Sequence, residues 1–186
     1  FMKKLFTILG ILLLGGLIYF IYGILTTRSH SPVETTAMSH QGLDVKVVYY
    51  RPYKKNRLIF GTEQEEALVP YGKYWRLGAN DATEITFSKD VTFVNKPIQA
   101  GSYRMYAVPD QTSWQISLNS ELGKFGYFEP NYALDVAKVE VPVTRPPEET
   151  EQLTITFEPD SAGVLMNIKW DKTLVQVPIT VQGVNP

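Results

Sequence analysis

From Leu43 to Val181 apolar side chains recur at every second position in short runs, and no stretch there holds a helical stripe for three turns. Val45, Val47 and Tyr49 share one face, as do Ile85 and Phe87. Trp114, Ile116 and Leu118 alternate with Ser113, Gln115, Ser117 and Asn119. The same holds for Leu153, Ile155 and Phe157, for Met166, Ile168 and Trp170, and for Val175, Val177, Ile179 and Val181. Period two over such lengths is the mark of strands with one buried face. Turn signals separate the runs at Asn95-Lys96-Pro97, Ala100-Gly101, Pro109-Asp110, Pro159-Asp160 and Asp171-Lys172. The phase changes between Val136 and Val139, which predicts a bulge. Pro178 has no N–H for a central ladder and predicts an edge strand or a second bulge. The 144 residues 43–186 suffice to bury about two-thirds of their unfolded surface. The expected fold class is all-β, an antiparallel β-sandwich or jelly-roll-like domain over 43–186.

Ahead of it lies a segment of a different kind. Leu5 to Leu25 is 21 residues without a charge. As a helix it would extend roughly 30 Å, the thickness of a bilayer's hydrocarbon core. Lys3 and Lys4 precede it, and Arg28 is the only nearby charge after it. That bias predicts a cytoplasmic N-terminus at 1–4, a transmembrane anchor at 5–25 and the remainder across the bacterial inner membrane, in the periplasm. Tyr19 and Tyr22 fall toward the outer interface, and Gly15-Gly16 and Gly23 would admit a close partner helix. A cleaved signal peptide is the rival, but the run exceeds the usual 7–15 residues and Thr26-Thr27-Arg28-Ser29 offers no small-x-small site. Residues 26–42 are small, polar and aperiodic, and read as a flexible tether on the order of 23 Å in root-mean-square span. His30 and His40 both lie in it, too loosely spaced to expect a metal site.

Composition removes most chemistries. There is no cysteine, so disulfides, thiolate metal sites, a cysteine nucleophile and a lipid-anchor cysteine are excluded. After residue 42 there is no histidine, which removes Ser-His-Asp and histidine-based metal centres from that part. With 18 basic and 19 acidic residues the chain lacks the basic excess that nucleic-acid binding needs. No phosphate loop and no calcium loop is spelled out, and no cofactor or metal is expected. Glu63–Glu66 and Glu148–Glu151 read as solvated loop charges, whereas Asp81 with Glu84 is set among more suggestive neighbours.

Those neighbours form the stretch LVPYGKYWRLGANDAT at 68–83, which packs Tyr71, Tyr74, Trp75, Arg76, Asn80 and Asp81 together. Aromatic faces beside Arg, Asn and Asp suit a sugar or a peptide, stacking giving area and polar groups giving orientation. The competing expectation is structural and the stronger: Trp75 plugs one end of the sandwich, and Arg76 pairs with Asp81 to fix the loop.

YYRPYKKNRLIFG at 49–61, LVPYGKYWRLGANDATEITFSKDV at 68–91, AGSYRMYAVPD at 100–110, WQISLN at 114–119 and LDVAKVEVP at 134–142 together resemble the bacterial family called domain of unknown function 2911. The resemblance covers essentially all of the expected β-domain. It implies an exported β-domain of the kind found mostly in the Bacteroidetes group, with no activity attached. Leu77 stands where the family usually has Thr, Asp81 where Glu is usual, and TEQEE at 62–66 lengthens a loop. Carried over by position, the family's polar pattern falls on Arg51, Trp75, Arg76, Asn80, Asp81 and Thr83, which are the candidate ligand- or partner-binding residues.

The functional expectation is a membrane-anchored periplasmic binding or interaction module without catalysis. Its expected partners are membrane lipid through residues 5–25 and either an envelope or inner-membrane protein or a glycan or peptide ligand. Two rivals stand beside it: an accessory subunit of an inner-membrane complex, and a carbohydrate-active hydrolase using Asp81 and Glu84.

Overall fold

A computed structural model describes the backbone of residues 2–27 and 30–182, with side chains described at 4, 6, 10–23 and 30–182. Lys3, both ends of the apolar run and Arg28 therefore fall, in whole or in side chain, outside the described residues.

Met2–Thr27 is one helix, α1. Its consecutive apolar side chains from Ile11 to Leu14 and from Leu17 to Tyr22 are exposed, so the apolar surface runs round every face. Among the described residues no helix is long and apolar enough to cross a membrane.

The strands are β1 (Val33–His40), β2 (Leu43–Tyr50), β3 (Phe60–Gly61), β4 (Val69–Pro70), β5 (Thr83–Phe87), β6 (Val91–Phe93) and β7 (Lys96–Ile98). They continue as β8 (Gly101–Pro109), β9 (Ser113–Asn119), β10 (Asp135–Thr144), β11 (Thr150–Asp160), β12 (Gly163–Asp171) and β13 (Thr173–Val181). All but β3 and β4, which form a short parallel pair, belong to one antiparallel sheet ordered β1-β2-β5-β8-β9-β10-β13-β12-β11, with β6 on β13 and β7 on β6. The antiparallel β expectation therefore holds.

The division into two facing sheets does not. β10 pairs with β9 from Asp135 to Pro142 and then with β13 at Val143 and Thr144, so one long strand carries both halves. The strip curls until its edges β1 and β11 meet, giving a nearly closed barrel. No ladder joins β1 to β11. Past the end of β2 the backbone meets β11 through Lys54 N–H to the Glu151 carbonyl at 2.7 Å and Leu153 N–H to the Pro52 carbonyl at 3.0 Å, and at the other end side chains bridge the seam. The His40 ring lies 3.2 Å from the Asp160 carbonyl, and the Gln41 amide donates to the Ser161 carbonyl at 2.7 Å.

Residues 33–40, expected within a tether, form β1 in continuous register with β2 from Val33↔Tyr50 to His40↔Leu43. The strand was hidden because only Thr36, Met38 and His40 are even half-buried, so no apolar alternation marks it. Its turn is chemically explicit: Gln41 and Gly42 both take positive φ, 50° and 73°, as a two-residue hairpin requires.

The alternating apolar residues named from sequence are buried, except Val181, which is half-buried at the edge of the core; Ser117 and Asn119, on the alternate positions of β9, are fully buried as well. Each apolar side chain so removed from water contributes roughly 1.5–3 kcal/mol before conformational entropy is charged against it. The register of β10 slips between Asp135 and Ala137, placing the bulge at Val136 as expected. Pro178 is not on an edge strand: it sits opposite Leu165 in β13, which is flanked on both sides. The side of β13 away from β12 is shared by β10, at Leu174 and Val175, and by β6, from Ile179 onward. The Pro178 carbonyl accepts from Val94 N–H at 2.9 Å on that side, so its missing donor falls in the gap between two short partners.

Candidate functional site

The loop between β4 and β5 closes one end of the barrel. Trp75 straps it down, its N–H and C=O each bonding Ala107 of β8 at 2.8 Å. The Trp75 ring enters an aromatic cluster, edge-on to Phe60 and Trp114 at 5.5 Å and stacked on Trp170 at 5.9 Å. Beyond it the chain turns tightly through left-handed residues, Leu77 at φ 55° and Asn80 at φ 53°. Gly78 passes so close to Tyr50 that a Cβ there would lie 2.7 Å from the Tyr50 carbonyl oxygen.

Beside this strap opens a cleft of about 320 Å³. Trp75, Trp170, Leu68, Val69 and Pro52 supply its apolar lining; Lys55, Arg57, Arg76 and His30 supply its polar one. No carboxylate lines it among the described residues. Lys55 and Arg57 arrive on the turn after β2, where Lys55 and Asn56 are both left-handed (φ 51° and 57°). Arg57 ties that turn together by donating Nε to the Lys54 carbonyl at 2.9 Å and Nη2 to the Tyr53 carbonyl. Lys54 fastens the turn to the barrel through Asp171 at 2.7 Å and Glu149 at 2.9 Å. Those two acids also hold the Lys54 ammonium above the usual lysine range.

Arg76 is half-buried. It donates to the Asn80 carbonyl at 3.4 Å and lies 6.0 Å from the centre of the Tyr127 ring. No ion pair joins it to Asp81, contrary to the sequence expectation. With no carboxylate beside it, burial pulls the guanidinium below the usual arginine range. Asp81 instead accepts from the Tyr50 hydroxyl at 2.8 Å.

The six candidate residues are thus divided among five places. Trp75 and Arg76 line the cleft. Arg51 works at the seam, donating to the Leu153 carbonyl at 2.9 Å and the Thr154 hydroxyl at 2.8 Å, and pairing with Glu34 at 3.2 Å. Asn80 is buried and reaches the Ser31 carbonyl at 3.5 Å. Thr83 is fully buried, its hydroxyl donating to the Leu77 carbonyl at 2.9 Å. Asp81 lines a second cleft of about 340 Å³ together with Tyr50, Glu84 and Lys124. Glu84 there accepts from Gly123 N–H at 2.8 Å.

Sequence reasoning missed Lys55, Arg57 and Trp170. The first two stood in view as the basic run KKNR in a turn, but only folding sets that turn beside the Trp75 loop. Trp170 was read as a core residue of its strand, and it is one; its edge also reaches the cleft. Among the described residues no cluster of three or more His, Asp or Glu is placed to hold a metal ion.

Residues 31–179 match the model of the family described as Protein of unknown function (DUF2911). The chain belongs to this family. The DUF2911 match opens at Ser31, so β1 falls inside the domain, and it ends within β13. It spans both clefts and the strap between them. No curated protein and no solved structure gives a significant match to the chain.

Proposed function

We propose that the protein is a binding module of the bacterial envelope, anchored in the inner membrane by residues 5–25 with its N-terminus in the cytoplasm and its DUF2911 domain in the periplasm. The domain takes an anionic ligand with an apolar body into the cleft beside Trp75. The anchor reading is supported by the uncharged run Leu5–Leu25, by helical backbone throughout it, and by apolar side chains on every face of 11–22.

One observation carries the ligand class: Lys55, Arg57 and Arg76 converge on an aromatic floor with no carboxylate on the described lining. Like charges gathered around one cleft repel one another, most strongly at the half-buried Arg76, and an anion relieves that repulsion. Arg76 has Nε and Nη2 to offer carboxylate or phosphate oxygens, and Arg57 has Nη1, its Nε and Nη2 being spent on its own turn. Leu68 and Tyr53, both exposed on the lining, together with the edge of Trp75 provide the surface for a ring or a chain.

The second reading, hydrolysis by paired carboxylates, draws on the placement of Asp81 and Glu84 in one cleft. Each of them already accepts a hydrogen bond from the protein's own Tyr50 or Gly123, which suits a structural role better than an attacking one.

The test is a titration of the full chain, in mild detergent, with phenyl phosphate and with benzyl alcohol, read through tryptophan emission. Phenyl phosphate should give a saturable change that weakens as salt rises. The pair of substitutions Arg57→Ala and Arg76→Ala should weaken it by about tenfold or more, the loss of two charge-assisted contacts. An equal response to benzyl alcohol, or an unaltered response in the double variant, overturns the reading.

A further inference from the structure

The large apolar side chains that the β-domain leaves exposed are unevenly distributed. Leu122, Phe125, Tyr127 and Phe128 crowd the loop between β9 and β10, Tyr127 and Phe128 being more than two-thirds exposed. The loop is rooted at Asn119 and Asp135 but folds back to residues 80–82, away from the turns at Gln41–Gly42, Gln99–Ala100 and Ser161–Ala162, none of which exposes a large apolar residue.

The crowded loop is not slack. Tyr74 donates its hydroxyl to the Gly126 carbonyl at 2.9 Å, and the fully buried Arg104 donates to the Phe128 carbonyl at 2.5 Å. Gly126 N–H bonds the Asn80 carbonyl at 2.9 Å, and Ala82 N–H bonds the Lys124 carbonyl at 3.0 Å. The backbone is therefore held from beneath while the rings stay in solvent, an arrangement costly in water unless something apolar covers them.

Chain connectivity says what lies close. Asn80, which holds Gly126 through its carbonyl, also reaches the Ser31 carbonyl with its amide. Only three peptide steps separate His30 from Thr27, the end of α1, a reach of at most roughly 11 Å. A domain tied that closely to a membrane helix keeps this end at the bilayer and the polar end away from it. The Tyr127 ring, apolar with a polar hydroxyl, favours the headgroup boundary, and Phe125 and Phe128 favour the apolar side of it. Lys124 is neutralised by Glu121 at 3.5 Å, so the attraction is apolar rather than electrostatic.

We propose that the loop Leu122–Phe128 is a membrane-docking surface, seating the DUF2911 domain on the same bilayer that α1 enters, with Phe125, Tyr127 and Phe128 in the headgroup–acyl boundary. The proposal rests on the anchor reading above and is independent of what the cleft binds.

The test uses the full chain reconstituted into vesicles of phosphatidylethanolamine and phosphatidylglycerol, with and without bromine on the acyl chains. Flotation establishes the anchor first. The native Trp75, Trp114 and Trp170 are buried and give the background emission. Phe128→Trp adds a reporter on the loop, Tyr127→Trp a second one should the first fail to fold, and Ser161→Trp a reporter at the opposite end. Brominated lipid should lower the added emission of the loop reporter by about twofold, as for a ring at the headgroup boundary, and leave the Ser161→Trp signal unchanged. Flotation without quenching of the loop reporter overturns the docking surface and leaves the anchor standing. Equal quenching of both reporters overturns the end-on seating. Failure to float overturns anchor and docking together, while the phenyl phosphate titration still judges the cleft.

Discussion

Replacing Trp75 with alanine removes a ring that is only 7 % exposed and is shared by three aromatic neighbours, Phe60, Trp114 and Trp170. Truncating a buried Trp costs about 3–5 kcal/mol in transfer and cavity terms together. Two features move the expectation toward the lower part of that range. The void would open into the cleft beside it, so water relieves part of the cavity cost. The backbone strap from Trp75 to Ala107 needs no side chain and survives the change. A cost of about 3–4 kcal/mol follows, a large fraction of the 5–15 kcal/mol that holds a domain together. For a domain of this size that lowers the melting midpoint by about 6–16 °C. Thermal melts of parent and variant full-length chain, followed by near-ultraviolet circular dichroism, measure it, because the coupled indoles dominate that signal. Trp75→Phe keeps one ring in the cluster and should lose distinctly less. A Trp75→Ala midpoint within 2 °C of the parent, on a scale of about 2–4 °C per kcal/mol, would refute the assignment of Trp75 to the core and leave it a purely external ligand platform.

Two further substitutions probe the frame around the site. Thr83→Val keeps the shape of a fully buried side chain but strips the Leu77 carbonyl of its donor, and should cost about 1–3 kcal/mol in a urea titration; an unchanged midpoint would mean that this hydroxyl does not hold the left-handed turn at Leu77. Gly163→Ala would place a Cβ 2.1 Å from the Ile179 carbonyl oxygen and 2.8 Å from Thr180 Cα, both backbone, so β12 and β13 must part. It should cost about 3 kcal/mol, the upper part of the usual overpacking range, and parental stability in the same titration would contradict the close strand approach.

The inward faces of β2, β5, β9, β11, β12 and β13 were legible because each run is apolar at every second residue and both neighbours in space demand that face. β1 was not, since none of its side chains is fully buried and its sequence, VETTAMSH, keeps polar residues on both faces. The bulge at Val136 could be read from a break in phase, whereas Pro178 misled. Proline forbids one hydrogen bond, and whether a partner strand is present at that point depends on where β10 stops and β6 starts. The candidate residues suffered the same limitation. A shared stretch of chain placed Arg76, Asn80, Asp81 and Thr83 together on the page, yet successive residues of a tight loop face different ways: Thr83 inward, Arg76 toward one cleft and Asp81 toward the other.

By itself, the order of residues determined the β class, the inward side chains, the apolar N-terminal run and the absence of thiol chemistry, because each depends on composition or on spacing along one strand. It also carried the family pattern, which the match over 31–179 bears out. The tertiary structure alone decided that the sheet curls into one nearly closed barrel, since closure depends on twist and on how far β10 extends past its first partner. It alone decided that Arg76 has Tyr127 beside it rather than Asp81, and that Lys55 and Arg57 meet Trp75 and Trp170 around one cleft. These are contacts between segments far apart in the chain, and such contacts leave no period in sequence from which to read them.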